Sequence, residues 1–151
     1  MTIWTINEVA AACGLSRHEI SKWISRGVFL PSMSTRKGEW RHYDWRDVVC
    51  LAVIAQLRRI PIDTATALRC AGDELRRGLA GYESLPSAPM HWLVREVGRE
   101  RRMSFESADA VAASLAEART TLAVDVARVG RAALNRLEAT SGAASRKQSR
   151  S

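Results

Sequence analysis

Apolar positions near the N-terminus recur at helical spacing in two short stretches. Ile6, Val9, Ala10 and Cys13 fall on one face of a helix. Thr5-Ile6-Asn7-Glu8 opens it with a hydroxyl and a carboxylate three residues apart, the arrangement in which each satisfies a free amide near the other. Gly14 supplies a residue that tolerates the left-handed conformation at a helix end. Ser16-Arg17-His18-Glu19 repeats the box, and Ile20, Trp23 and Ile24 form the apolar stripe of a second helix over 17–26, stopped by Gly27 with Pro31 soon after. The pattern predicts a helix of about two turns, a tight turn and a second helix. The polar face of that second helix carries Arg17, His18, Ser21, Lys22 and Ser25, side chains able to hydrogen-bond bases or phosphates.

Farther along, the period changes. Residues 33–43 form a basic loop with Gly38 at its tip, followed by the alternating aromatics Trp40 and Tyr43, which predicts a short hairpin or wing. Asp44-Trp45-Arg46-Asp47 reads as a third helix start, leading into an apolar stretch from Val48 to Ile60 that Pro61 ends. A fourth helix is expected from Asp63 or Thr64 to about Leu79. Pro86 and Pro89 mark a linker. Residues 91–97 and 101–105 flank Gly98-Arg99-Glu100 and fit a small β-hairpin, although the same letters also allow a helical extension. From Ser107 to about Ala139 an alanine-rich helix is expected, broken only by Gly130, with Val111, Leu115, Ala118, Leu122, Val126, Val129, Ala133 and Leu137 at steps of three and four. That repeat is closer to eleven residues than seven, so it fits a nearly straight packing seam. A partner subunit is the simplest cover for the stripe, and folding back on the first domain is the alternative. The small, basic segment after residue 139 is expected to be disordered.

The chain has 151 residues, 46% hydrophobic and 26% charged, an ordinary globular balance. Its net charge of +7 and pI near 10.1 point to an anionic partner. The distribution sharpens this: Arg17, Lys22, Arg26, Arg36, Lys37 and Arg41 stand against only Glu19 and Glu39 in the same interval. No apolar run approaches the roughly 18 to 20 residues of a membrane span. The first residues lack the basic start and apolar core of a signal peptide, so a cytoplasmic, nucleoid-associated location is expected and no membrane partner. Cys13, Cys50 and Cys70 make no metal-ligand or disulfide spacing, and each sits in an apolar helical stretch. Small buried hydrophobes are the plainer reading; redox or metal sensing is the other. His18, His42 and His91 form no ligand spacing, and no catalytic constellation is legible at local range. No enzyme, metal or cofactor is therefore expected.

Read together, TINEVAAACGLSRHEISKWISRGVFLP, GEWRHYDWRDV and LRRIPIDTATAL resemble the DNA-binding domain of MerR-type transcription regulators. The resemblance covers roughly half the chain. It implies a winged helix-turn-helix with 17–26 as recognition helix, a wing centred on Arg36, Lys37, Gly38 and Arg41, and a second helix pair near the DNA backbone. Trp40-Arg41-His42-Tyr43 matches the family's aromatic-Arg-x-Tyr element, in which the arginine contacts phosphate and the tyrosine packs near the backbone. Many members carry Arg followed by two aromatics in the recognition helix, whereas this chain has Ser21, Lys22 and Trp23, which also resembles excisionase-type relatives. Metal-responsive members place cysteines after the dimerisation helix; here none follows Cys70.

The resulting expectation is a mainly α protein. It comprises a winged helix-turn-helix over 1–80, a linker and possible hairpin over 81–106, a long dimerisation helix over 107–139 and a basic tail over 140–151. The expected DNA-binding residues are Arg17, His18, Ser21, Lys22, Arg26, Arg36, Lys37, Trp40, Arg41 and Tyr43. The expected partners are double-stranded DNA, a second copy through 107–139 and, by the family's mode of action, RNA polymerase. An excisionase-like or architectural role in recombination or DNA segregation is the alternative.

Overall fold

A computed structural model of the chain describes residues 2–32, 42–60, 63–97, 100–117 and 120–148. The N-terminal half opens with α1 (Ile6–Cys13) and α2 (Arg17–Ser25). Both begin with the reciprocal box expected: the Thr5 and Ser16 hydroxyls accept from the Glu8 and Glu19 amides, and each carboxylate accepts from the capping residue's own amide. Gly14 ends α1 at φ 69°, where an L side chain would be strained. The helix α3 (Trp45–Leu57) is capped in the same way by Asp44 and Asp47. Then follow α4 (Thr64–Leu68), a π-helical stretch (Arg69–Glu74) and α5 (Leu75–Leu79), which together fill the span expected for one helix.

α3 is the centre of the molecule. Val48, Val49, Cys50, Leu51, Val53, Ile54 and Leu57 are all buried, so this helix is apolar around most of its circumference and needs cover on every side. α1 packs on it, as does the segment from α4 through α5. The remaining face is covered by α7 (Val126–Gln148), which also packs on α1. The two helices approach closely at Gly130, where an added Cβ would lie 2.8 Å from a methyl of Val49 and 3.1 Å from Leu85. The Arg136 guanidinium donates to the Ala12 carbonyl at 2.7 Å, and Arg131 donates to the Leu85 and Pro86 carbonyls. The proline-containing linker is thus tied down at its middle.

The hairpin is present: β1 (Met90–Val97) pairs antiparallel with β2 (Glu100–Ser107), with Trp92 opposite Phe105. The expected single helix over 107–139 is not. In its place stand α6 (Ala108–Glu117), a third strand β3 (Thr120–Asp125) on the other edge of β1, and α7, giving the strand order β2-β1-β3. Thr120-Thr121-Leu122-Ala123-Val124 has the β-branched content and two-residue alternation of a strand, and a ready-made edge of β1 to pair with. Asp125 then accepts from the Arg128 amide at 3.0 Å and restarts the helix. The tail expected to be disordered is helical as far as Gln148.

The apolar stripe that called for a partner is largely covered within the chain. Val126, Ala133 and Leu137 are buried in the common core, because α3 and α7 each present the face the other lacks. Trp92 joins that core from the sheet. Leu115 on α6 remains 55% exposed.

Candidate nucleic-acid interface

At about 100° per residue, Ile20, Trp23 and Ile24 of α2 fall together and are buried, at 0%, 6% and 9% exposure. Arg17, His18, Lys22 and Ser25 are exposed, and Ser21 is half-buried. Arg26 caps the C-terminus of α2 and is exposed as well. Among the expected site residues, the structure therefore gathers Arg17, His18, Ser21, Lys22 and Arg26 along one helix and its end. Trp23 is the apolar anchor that the sequence pattern indicated.

One acid sits in this basic helix, and it is occupied. Glu19 accepts from the Ser16 amide at 3.0 Å and from the Arg58 guanidinium at 2.6 Å, across from the end of α3. Those hydrogen bonds, the Ser16 amide first, hold its carboxyl below the ordinary value against the opposing effect of burial. Arg58 also lies over the Trp23 ring at 5.7 Å. Its observed partner is a carboxylate 39 residues away, a pairing that no local spacing announces.

The residues on either side of the expected wing are fixed. Before it, Phe29 is buried against Arg76, whose guanidinium lies 4.8 Å from the ring centre. The Ser32 amide and hydroxyl donate to the Asp47 carboxylate at 3.0 to 3.1 Å. After it, Tyr43 and Trp4 exchange backbone hydrogen bonds at 2.9 Å in an isolated bridge. Residues 33–41 lie outside the described residues, and with them Arg36, Lys37, Trp40 and Arg41. Tyr43, expected at the DNA surface, is instead fully buried and is held to Trp4 by that bridge.

Asp47 organises this corner. Besides Ser32, its carboxylate accepts from the Asp44 amide at 3.1 Å and from Arg76 at 2.6 Å, and its side chain is completely inaccessible. Burial pushes its carboxyl up to about 6; Arg76 opposes that shift and the neighbouring Asp44 charge adds to it. Asp44 in turn meets Arg46 at 3.6 Å, and Arg46 donates to the Leu79 carbonyl at 3.2 Å and to that of Tyr82. One buried carboxylate thus ties Ser32, the start of α3 and α5 together. The sequence disclosed Asp47 only as a cap.

Burial pushes the Cys13 and Cys50 thiols up to about 12, so both are neutral packing groups at physiological pH. Among the described residues no group of three His, Cys, Asp or Glu side chains is placed to hold a metal ion. No helix among them is long and apolar enough to cross a membrane.

Two capped helices joined at a left-handed glycine and followed by a third capped helix form a helix-turn-helix arrangement. Compared with curated proteins, the chain gave no match. Compared with protein families, residues 4–62 match the model of the MerR HTH family regulatory protein. The helix-turn-helix in the N-terminal half of this chain belongs to the MerR family of DNA-binding transcription regulators.

Proposed function

We propose that the protein binds double-stranded DNA sequence-specifically as a homodimer and regulates transcription in the MerR manner. The observation that carries this reading is α2: exposed Arg17, His18 and Lys22 with Ser21 half-buried beside them, backed by a buried apolar stripe, in a family-matched helix-turn-helix. α2 enters the major groove, where Arg17 and Lys22 reach base edges and Arg26 a phosphate. Arg36, Lys37 and Arg41 of the wing contact flanking phosphates with Trp40 beside them. A dimer sets two recognition helices one helical turn of DNA apart. Residues 107–139 carry the dimer contact, with Leu115 as the exposed apolar side chain of that segment. Distortion of the promoter spacer then brings RNA polymerase into register, a use of DNA deformability rather than of base contacts.

Selection of bound sequences from random and genomic DNA tests binding, symmetry and half-site spacing together. Paired half-sites are expected. With about three phosphates neutralised per subunit, the log–log salt dependence of affinity should have a slope of about −5. A flat slope refutes DNA binding. Single half-sites with no preferred spacing refute the dimer. Sites clustered at recombination junctions rather than promoters favour the excisionase-like alternative.

A further inference from the structure

Between the C-terminal end of α3, the strand β3 and α7 lies a cleft of about 450 Å³. Its walls are apolar where they are covered: Ala52 is buried, and Leu122 and Val129 are half-buried. Its exposed lining is cationic, with Arg59 from the end of α3 and Arg128 and Arg136 from α7. None of these three guanidiniums is ion-paired among the described residues, whereas Arg46, Arg58, Arg76 and Arg77 all are. Asp125 is the carboxylate of the lining, and it already accepts the Arg128 amide as the cap of α7. Arg136 is fixed in place by its hydrogen bond to the Ala12 carbonyl.

We propose that this cleft binds a small organic anion, a monocarboxylate with an aromatic or aliphatic body. The volume falls within the roughly 300 to 1,000 Å³ typical of small-molecule sites. Unpaired like charges gathered beside low-dielectric walls focus a positive potential on that space, which selects for an anion. The apolar walls select for an apolar body at its other end. Cys13 also lines the cleft, and as a neutral thiol it contributes surface rather than a nucleophile, so binding is noncovalent.

The cleft is built from both halves of the chain, and a ligand in it bridges them. Its cation Arg59 directly follows Arg58, which holds the recognition helix through Glu19. Occupancy therefore acts on the element that orients α2. This regulatory consequence rests on the DNA-binding reading; the site and its ligand class do not.

The test uses the full chain with two probe anions, 1-naphthoate and octanoate, and the neutral 1-naphthamide, followed by calorimetric titration. At least one anion should bind, and naphthoate should bind about tenfold or more tightly than the amide, as expected for charge-assisted contacts. The double variant Arg59→Gln/Arg128→Gln changes only exposed side chains and should remove that preference while leaving the circular dichroism spectrum unchanged. Ala132→Trp, from an exposed position in the lining, should abolish binding by filling the space. Equal affinity for acid and amide, no binding of either anion, or undiminished binding in the double variant overturns the site. Binding that is lost when the chain self-associates assigns the cleft to a second copy and also overturns it. DNA affinity is measured separately with and without bound naphthoate. An unchanged value removes the regulatory step alone, and absence of DNA binding at any ligand concentration counts against the DNA reading alone.

Discussion

The two halves of this molecule are built by different rules. From Trp4 to Leu79 the chain is assembled from local instructions: three reciprocal caps within the first 47 residues and a glycine at φ 69°. From Met90 to Asp125 it depends on partners far away, since β3 reaches β1 across β2 and α6. Helix α7 belongs to the second half by sequence and to the first by packing, because its buried face completes the cover of α3. The difference teaches that the DNA-binding half is locally specified without being self-sufficient: its central helix is apolar on more sides than its own neighbours can cover.

The sharpest way to break that comparison is at α7. Leu137→Ala removes a side chain only 2% exposed and should cost about 3 kcal/mol of stability. The loss should appear in the tryptophan signal of the N-terminal half and in the sheet's circular dichroism in one transition. Two separate transitions would mean that the halves are independent. Asp47→Ala comes next, at about 2 kcal/mol, because Arg76 loses its buried partner but retains partial access to water. It should also raise the amide exchange rate at Ser32, which reports the start of the wing. Normal protection there would deny Asp47 that role.

A smaller loss, about 1 kcal/mol, is expected for Gly130→Ala. Overpacking against the stiff, buried Val49 outweighs the gain in helix propensity. A stabilised variant would show that α7 sits farther from α3. Of similar size is the pH effect of Asp47. Its folded value, about 6, lies above the ordinary carboxylate value, so the folded chain takes up a proton that the unfolded chain does not. Stability from this group is fully present below the unfolded value and is lost as pH rises through 6. The stability difference between wild type and Asp47→Asn should therefore grow by about 1 kcal/mol from pH 7 to pH 5. A difference independent of pH would place the ionisation outside that window.

What the sequence disclosed follows the same division. Capping boxes, the buried Trp23 stripe and the hairpin around 98–100 were legible because each is written within a few residues. The strand at 120–125 was not: its alternating letters also satisfy a helical stripe of steps three and four, and only the edge of β1 decides between them. The polar face of α2 was legible in part, since helical geometry alone separates His18, Ser21 and Lys22 from Ile20, Trp23 and Ile24, whereas Arg17 shares the side of Ile20 and Ile24 and is exposed in the first turn. Tyr43 was misplaced because an aromatic beside a basic loop looks the same whether it faces DNA or the core. The pairings Glu19–Arg58 and Asp47–Arg76 span 39 and 29 residues, and nothing in their spacing links them.

The hydrogen bond from Arg136 to the Ala12 carbonyl joins positions 124 residues apart, and synthesis proceeds from the N-terminus. While the chain is being made, α1, α2 and α3 leave the ribosome with Val49 uncovered, and only α7, made later, closes over it. A nascent chain arrested before residue 126 presents an apolar groove where the finished protein has none. The recognition helix is thus made before the side chains that seal its support.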